Sequence, residues 1–376
     1  ARYFLCSSFS NEEKKKFRKI YREFLYGGII LLEAYLNLIN QKKPDVIVMT
    51  NGKLFWSSIM QEVANKFDIR TISYEDIGTR FMGRTWVFCH NKSIVDLDFS
   101  KIWQIYKNQN LNQEQEQKLS NYLKSRQKPG LFYKKMQSDT AYIKKYLHLG
   151  NKITVTLFTN ITWDSAALEK DISFDNMLHW ITYTINYFAD KENYNLIVRI
   201  HPAESGAFDG TKSREKVRDK IQLNFPQLPK NIKIIDSDNP ISSYALLKLS
   251  QAVIVYTSTI GFEAVLNKVP VIISGKAHYA QKGFTYDVNS IEKYNDLLSN
   301  LNNLRISDSQ IKIARRYAYF YYFQLPLKID LWDSQYSHSI GKLNFNNLKD
   351  LKPGKIENLD IVASTILHKT PLCKPF

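Results

Sequence analysis

The stretches that decide the fold are Leu196–Glu204, with the sequence LIVRIHPAE, and Val253–Glu263, with the sequence VIVYTSTIGFE. Each passes from a short apolar run, which predicts a buried strand, directly into residues that bind anions. In an open α/β sheet both segments end at the carboxyl edge, where helix N-termini offer unpaired N–H groups and a positive dipole end. The pair therefore predicts a phosphorylated ligand such as a nucleotide mono- or diphosphate.

Composition and charge indicate the number of domains and the kind of binding partner. The chain has 376 residues, 44% of them hydrophobic, which is enough for two domain cores. It carries 52 Lys and Arg against 36 Asp and Glu, a net charge of +16. The excess favours an anionic partner, whether nucleotide-sugar, anionic glycan, acidic lipid surface or nucleic acid. Solvated helix faces explain individual basic clusters such as Lys14–Lys16 equally well.

Cysteine usage and hydropathy indicate the compartment. Cys6, Cys89 and Cys373 are widely spaced and odd in number, so they predict neither a disulfide framework nor a zinc site. The longest apolar run, Gly27–Leu36, is interrupted by Glu33. These features predict a cytoplasmic protein, with peripheral attachment to the inner face of the cytoplasmic membrane as the alternative. The chain begins without Met, which leaves open that it is one part of a longer protein.

Helix and strand patterns alternate along the chain. A polar stretch, 104–145, contains a Pro129-Gly130 break and predicts a domain boundary near Gly150. Beyond it the alternation is regular, as in a doubly wound parallel sheet. The predicted helices are 11–40, 54–67, 174–188, 213–223, 241–249, 260–267 and 309–323, and the predicted strands are 46–49, 69–74, 86–89, 153–158, 196–200, 232–235, 252–256 and 269–273.

This order of elements predicts an α/β protein of the GT-B type, in which two Rossmann-like domains with parallel sheets face a cleft and C-terminal helices pack back. The predicted domains are an acceptor-side domain at 1–150, a nucleotide-sugar-binding domain at 151–325, and a tail at 326–376 that packs back on the first domain. Neither half contains a G-x-G-x-x-G fingerprint, which argues against a dinucleotide dehydrogenase.

Several side chains near the two segments suit anion and sugar binding. Pro202 favours an extended conformation at His201, so that the imidazole projects and donates to a phosphate oxygen. Ser258 and Thr259 precede the helix that contains Glu263, and this arrangement forms a small anion cradle or an ordinary capping box. The glycine-containing loop 274–285, with Lys276, His278 and Tyr279, has the composition of a sugar- or base-binding loop.

These motifs together resemble the capsule polysaccharide biosynthesis family of bacterial glycosyltransferases, which includes Kdo transferases that use CMP-Kdo. The resemblance spans about residues 20–325. It is fainter to sialyl- and polysialyltransferases that pair an acidic motif with HP and Ser-Ser/Thr motifs. The segments that carry the resemblance to the capsule polysaccharide family are Tyr74–Arg80, Phe158–Asp164, Arg199–Glu204, Tyr256–Ala264, Pro270–Ile272, Gly275, Tyr279 and Gly283–Asp287.

The resemblance implies a role for each candidate residue. His201, Ser258 and Thr259 would hold the donor phosphate with Arg199, Glu263 would bind the ribose, and Glu75 or Asp76 would be the catalytic carboxylate, with Asp76 favoured. His201 counts as catalytic too, because it stabilises the leaving nucleotide. The sugar or acceptor would contact Arg80, Lys276, His278 and Tyr279. Ile77 separates the acidic pair from Gly78, where the Kdo transferases have Gly directly, so both carboxylates stay candidates.

Two Asp-x-Asp triplets, Asp96–Asp98 and Asp236–Asp238, are the motif by which glycosyltransferases of the other major fold hold a divalent ion. The second lies just before Asn239-Pro240, so capping of a helix start explains it. We therefore predict no essential metal, and no cofactor beyond the nucleotide-sugar substrate.

The sequence thus predicts a metal-independent glycosyltransferase that moves a sugar from a nucleotide-sugar donor to a growing bacterial surface polysaccharide or glycolipid, such as lipopolysaccharide. A CMP-activated donor, with CMP-Kdo as the example, is favoured. One alternative is a nucleotide-sugar 2-epimerase of the same architecture, and another is a non-enzymatic basic protein that binds nucleic acid or a membrane surface. We expect a donor and a glycan or glycolipid acceptor as partners, an anionic membrane surface as a further candidate, and no nucleic acid, because aromatic-basic motifs are lacking.

Overall fold

The structure is a computed structural model that describes residues 11–76, 85–128, 136–162, 168–206, 213, 216–329, 331, 343–370 and 373–374. It divides into two compact units. Among the described residues, unit 1 contains 11–116 and the part from 316 onward, and unit 2 contains 117–315. The division into domains at residues 150 and 325 stays a prediction. No helix of the described ranges combines the length and apolar character that crossing a membrane requires.

Unit 1 has a small mixed sheet of three strands in the order β1-β2-β3. β1 (Val46–Thr50) runs parallel to β2 (Arg70–Asp76), whereas β3 (Trp86–His90) runs antiparallel to β2. The parallel sheet predicted for this half is therefore wrong at its third strand. The crossover between β1 and β2 is α2 (Phe55–Lys66), which supplies Met60 and Val63 to a core with Ile39 of α1 (Asn11–Lys42).

Residues near the C-terminal end of the chain bind the small sheet of unit 1. The backbone groups of Trp86 and Leu327 exchange hydrogen bonds of 2.8 and 2.9 Å, and this pairing extends the ladder beside β3. The Arg70 guanidinium donates to the Thr365 carbonyl at 2.8 Å, in the last helix of the chain. Unit 1 also contains α3 (Ser100–Tyr106), the end of α11 (Asp308–Tyr319) with its continuation to Gln324, and α12 (Glu357–His368).

Unit 2 is built on a six-stranded sheet in the order β6-β5-β4-β7-β8-β9, with parallel pairing throughout. This confirms the predicted α/β class. The central strands consist almost entirely of buried residues, as expected where helices cover both faces of a sheet. The strands are β4 (Ile153–Phe158), β5 (Tyr194–Arg199), β6 (Ile232–Ile235), β7 (Ala252–Val255), β8 (Val271–Ile273) and β9 (Tyr286–Asp287).

The helix α6 (Met177–Phe188) shows how the sequence forms the layers of unit 2. Its buried residues, Met177, Trp180, Ile181, Thr184, Ile185 and Phe188, recur at helical spacing and lie against the sheet. The Asn176 side chain caps its start by accepting the His179 N–H at 2.9 Å. The other helices of unit 2 are most of α4 (Gln113–Arg126), α5 (Thr140–Tyr146), α7 (Val217–Asn224), α8 (Ser243–Leu249), α9 (Thr259–Leu266), α10 (Ile291–Ser299) and the start of α11.

Candidate functional site

The candidate site of unit 2 lies at the carboxyl edge of its sheet, where β5, β4 and β7 are neighbours. Thr159 and Asn160 follow the central strand β4 and bind both flanking segments. The Thr159 hydroxyl accepts the His201 N–H at 3.0 Å, and the Asn160 side-chain oxygen accepts the Thr257 N–H at 3.2 Å. The structure therefore brings the two segments quoted first to one edge. Sequence reasoning assigned no role to these two linking residues, although their place directly after a buried strand was a usable signal.

His201 is half-buried and caps a short 3₁₀ turn, Pro202–Ser205. Its Nδ1 accepts the Ala203 N–H at 3.1 Å, so the neutral ring carries its proton on Nε2. Burial, and then the nearby Arg199 guanidinium, lower the pKa of His201 to about 4. At neutral pH the residue is thus an uncharged hydrogen-bond donor through Nε2.

The Arg199 side chain is buried and points into the loop after β6. Its guanidinium donates to the backbone carbonyl of Asn239 at 3.1 Å and to that of Asp236. These contacts hold the loop 236–239 at the end of β5. Nucleotide binding by Arg199 stays a prediction.

Glu204 lies in the same segment and should make folding stability depend on pH. Burial raises the pKa of its carboxyl from 4.5 to about 7, with Asp236 and Asp219 acting in the same direction, and the Val217 N–H and Lys216 opposing them. Between these values the folded state holds a proton that the unfolded state releases, so stability falls as pH rises. We expect Glu204→Gln to flatten this slope, by at most ~1.4 kcal/mol per pH unit, because the amide cannot lose a proton.

Urea unfolding of wild type and variant at several pH values between about 5 and 7.5 measures the effect. His201 and other groups titrate in both proteins, so the difference between the two curves isolates Glu204. Parallel curves across this window would show that the Glu204 carboxyl does not titrate there.

The Ser258–Thr259 pair lies where β7 passes into α9. Ser258 is the N-cap of this helix, and its hydroxyl makes no capping hydrogen bond. The buried Tyr279 hydroxyl stabilises this turn, because it donates to the Ser258 carbonyl at 2.6 Å. Both features leave the Ser258 hydroxyl and the first N–H groups of α9 at the sheet edge, an arrangement that suits an anion.

Gly261 leaves room for the Tyr279 hydroxyl that donates to the Ser258 carbonyl. A Cβ atom there would overlap the Tyr279 hydroxyl and lie 2.9 Å from a methyl carbon of Val255. We expect Gly261→Ala to lower the free energy of unfolding by about 1–3 kcal/mol. Adding Tyr279→Phe should recover part of the loss, since it removes the overlapping oxygen. Gly27→Ala, which meets nothing closer than 3.9 Å, is the control. Urea unfolding of wild type, Gly261→Ala, Tyr279→Phe, the double mutant and the Gly27→Ala control tests this, and full additivity of the two changes would contradict the contact.

The loop predicted to bind sugar or acceptor is divided between surface and interior. Lys276 is exposed, and its backbone N–H donates to the Lys170 backbone carbonyl at 2.9 Å. His278 and Tyr279 are buried against Phe262, with ring centroids at 5.9 and 5.5 Å. Burial, and then the cations of Lys282 and Lys170, lower the pKa of His278 to about 3. In the structure, Tyr279 supports the start of α9, and contact of either ring with a sugar stays a prediction.

Glu263 is buried one helical turn beyond Thr259, and its carboxylate is bound by two side chains. Its Oε1 accepts Arg126 Nε and Nη2 at 2.8 and 2.5 Å, and its Oε2 accepts the Tyr244 hydroxyl. Sequence reasoning missed Arg126, which lies at the end of α4, and Tyr244. No signal connects them to Glu263, because the three residues come from separate helices.

In unit 1, the predicted catalytic pair lies at the carboxyl end of β2. Glu75 is half-buried and accepts the Asn51 side-chain N–H at 2.6 Å, whereas Asp76 is exposed. Asn51 has a positive φ of 65° in the turn after β1, and its side-chain oxygen accepts the N–H groups of Lys53 and Leu54 at 3.0 Å each. Sequence analysis assigned Asn51 no role in the site. Arg80, the fourth residue predicted to contact sugar or acceptor, lies outside the described residues.

The acidic triplets are bound by neighbouring cations. Lys53 pairs with Asp96 at 3.0 Å, Lys92 pairs with Asp98 at 2.5 Å, and Arg218 pairs with Asp236. Within the part of the chain that the structure describes, no three His, Cys, Asp or Glu side chains are grouped as metal ligands would be. Independence from metal stays a prediction.

Solved structures similar to this chain include two forms of KpsC from Thermosulfurimonas dismutans. The β-Kdo 2,4 transferase is 16% identical with a TM-score of 0.44 and covers 84% of this chain and 87% of its own. The β-Kdo 2,7 transferase is 13% identical with a TM-score of 0.44, covering 80% and 83%. A UDP-GlcNAc 2-epimerase from Methanocaldococcus jannaschii is 14% identical with a TM-score of 0.34, covering 77% and 79%. No curated protein sequence matches the chain.

A family model gives the decisive comparison. The model described as capsule polysaccharide biosynthesis protein matches residues 100–323, which is more than half of the chain. The matched range contains the segments around His201 and Ser258, whose motifs carried the resemblance found in the sequence. That resemblance is confirmed, and the chain belongs to the capsule polysaccharide biosynthesis protein family.

Proposed function

We propose that the protein is a glycosyltransferase that moves a sugar from a CMP-activated donor to a growing bacterial surface polysaccharide or glycolipid. Family membership supports the activity and the polysaccharide product. The observation that carries the proposal is the sheet edge of unit 2, where the His201 N–H donates to the Thr159 hydroxyl and the N–H of Thr257, next to Ser258, donates to the Asn160 side-chain oxygen. CMP-Kdo is the favoured donor because of the motif resemblance described above.

The edge offers hydrogen-bond donors where a leaving nucleotide needs them. The Nε2–H of His201, the Ser258 hydroxyl and the first N–H groups of α9 would bind the donor phosphate. As the glycosidic bond breaks, negative charge develops on that phosphate, and preorganised donors stabilise it. Since His201 is neutral at physiological pH, it acts in this proposal as a hydrogen-bond donor rather than as a cation.

The second requirement is a carboxylate that removes the acceptor proton or forms a glycosyl-enzyme. We assign it to the Glu75–Asp76 pair of unit 1, with Asp76 favoured because it is exposed. Arg80 and Lys276 are proposed contacts for the sugar or the acceptor. We place the protein in the cytoplasm, where activated sugars are made, with the inner face of the membrane as a further location.

Nucleotide-induced stabilisation tests the donor class. Wild-type protein is heated with CMP, UDP, GDP or ADP, and we expect CMP to raise the Tm most, with about 2.7 kcal/mol of stabilisation at a hundredfold excess over Kd. Ser258→Ala, which removes a proposed phosphate contact, should reduce the shift. Ser205→Ala, an exposed hydroxyl of the neighbouring 3₁₀ turn, is the control. Equal shifts for all four nucleotides, or none, would contradict a CMP-specific site.

A further inference from the structure

The Glu263 carboxylate is held more rigidly than a surface ligand group would be. The side chain is 5% exposed, and its partner Arg126 is 23% exposed. Arg126 binds a single oxygen, Oε1, through two N–H groups, while the Tyr244 hydroxyl donates to the other oxygen. Because donors hold both of its oxygens, the carboxylate cannot rotate about the last side-chain bond without breaking these hydrogen bonds.

Arg126 is fixed in turn by its own helix. Its Nη1 donates to the Tyr122 hydroxyl at 3.2 Å, and its guanidinium carbon lies 5.7 Å from the centre of the Tyr122 ring. Tyr122 is one turn earlier in α4, so the two side chains share a helix face. We call the group of Tyr122, Arg126, Tyr244 and Glu263 the carboxylate clamp. It joins α4, α8 and α9 within unit 2.

The clamp leaves the carboxylate able to accept one more hydrogen bond. A carboxylate has about four acceptor positions. Oε1 accepts two N–H groups and Oε2 accepts one hydroxyl, so a second position on Oε2 remains for a ligand hydroxyl. Glu263 lies one turn along α9 from Thr259, the start of the helix at which we place the donor phosphate. A ribose attached to that phosphate would lie within reach.

We infer that Arg126 and Tyr244 are positioning residues that orient Glu263 toward a ribose hydroxyl, and that they set the preference for ribonucleotide over 2′-deoxyribonucleotide donors. This rests on the proposed function, because it needs a nucleotide at the edge of the sheet. It goes beyond the ribose role predicted for Glu263, since it assigns specificity to two residues that do not touch the ribose.

The test compares the affinities for CMP and 2′-deoxy-CMP by titration calorimetry. Wild type should prefer CMP by about tenfold or more, the usual effect of one hydrogen bond to a charged group. Arg126→Met should reduce the preference to about twofold or less, mainly by weakening CMP binding. Tyr244→Phe, which keeps the ion pair, should reduce it in part. Lys124→Met removes an exposed cation from the same turn of α4 and should leave the preference unchanged.

A double mutant separates positioning from general damage. In a Glu263→Gln background the preference is already lost, so adding Arg126→Met should change it no further. Should Arg126→Met fail to fold, Tyr244→Phe and Arg126→Lys carry the same comparison. An unchanged CMP preference in these variants would overturn the inference, as would a wild type that binds both nucleotides equally. If wild type binds neither nucleotide, the CMP-dependent function fails, and the inference fails with it.

Discussion

Replacing His201 with Ala is expected to lower the rate of sugar transfer about a hundredfold, the usual cost of removing one preorganised donor from a developing negative charge. The Nε2–H of His201 is the only hydrogen that the neutral ring can offer, because Nδ1 already accepts the Ala203 N–H at 3.1 Å. The rate is measured as nucleotide release at saturating donor. Loss of the rate with a retained Tm shows that the defect lies in the site.

His201→Ala also removes a cap, so a second variant is needed. His201→Asn keeps a short side chain that can accept the Ala203 N–H, and it is expected to retain stability while losing transfer to a similar extent. His368→Ala, an exposed histidine at the end of α12, is the matched control and should transfer normally. Near-wild-type turnover by both His201 variants would remove this residue from the site.

Asp76→Asn should lower transfer about a thousandfold or more, since an amide serves neither as a base nor as a nucleophile. Nucleotide affinity should stay almost unchanged, because we place nucleotide binding in unit 2. Both quantities are measured on one preparation, transfer by product formation and affinity by calorimetry with CMP. Asp45→Asn, an exposed aspartate beside the opposite end of the strands, is the control.

Glu75→Gln is the necessary companion of Asp76→Asn. The Asn51 side chain donates to Glu75 at 2.6 Å, and this hydrogen bond holds the Glu75 carboxylate at the end of β2. Neighbouring residues of a strand point to opposite faces, and for this reason only one of the two is expected to be essential. Near-normal transfer by both variants would show that the catalytic carboxylate lies elsewhere.

The sequence predicted the sheet of unit 2 well because its strands are buried on both faces. The predicted strand 196–200 corresponds to β5 at Tyr194–Arg199, and 252–256 corresponds to β7 at Ala252–Val255. Helix ends were less predictable. The helix predicted at 213–223 begins only at Val217, where the buried Glu204 carboxylate accepts the Val217 N–H. This partner is distant in sequence, so no local pattern marks the start.

In the candidate site, too, features set by strand order were predictable and long-range side-chain contacts were not. His201 and Ser258 could be placed together because the carboxyl ends of parallel strands share one edge. The side chains that hold the site could not be found, because Arg126 is 137 residues away from Glu263. Composition suggested a ligand-binding loop at 274–285, yet His278 and Tyr279 are buried against Phe262. Composition does not tell which side of a loop faces the interior.

The most direct test of the account is the fate of the donor sugar. Wild type, His201→Ala and Asp76→Asn are incubated with CMP-Kdo or UDP-GlcNAc, with and without capsule oligosaccharide, and the products are separated by chromatography. We predict that wild type releases CMP and extends the oligosaccharide by one sugar per CMP, and that both variants fail to do so. Epimerisation of the UDP-sugar without an acceptor, or no turnover of either donor, would contradict the assignment as a CMP-dependent glycosyltransferase.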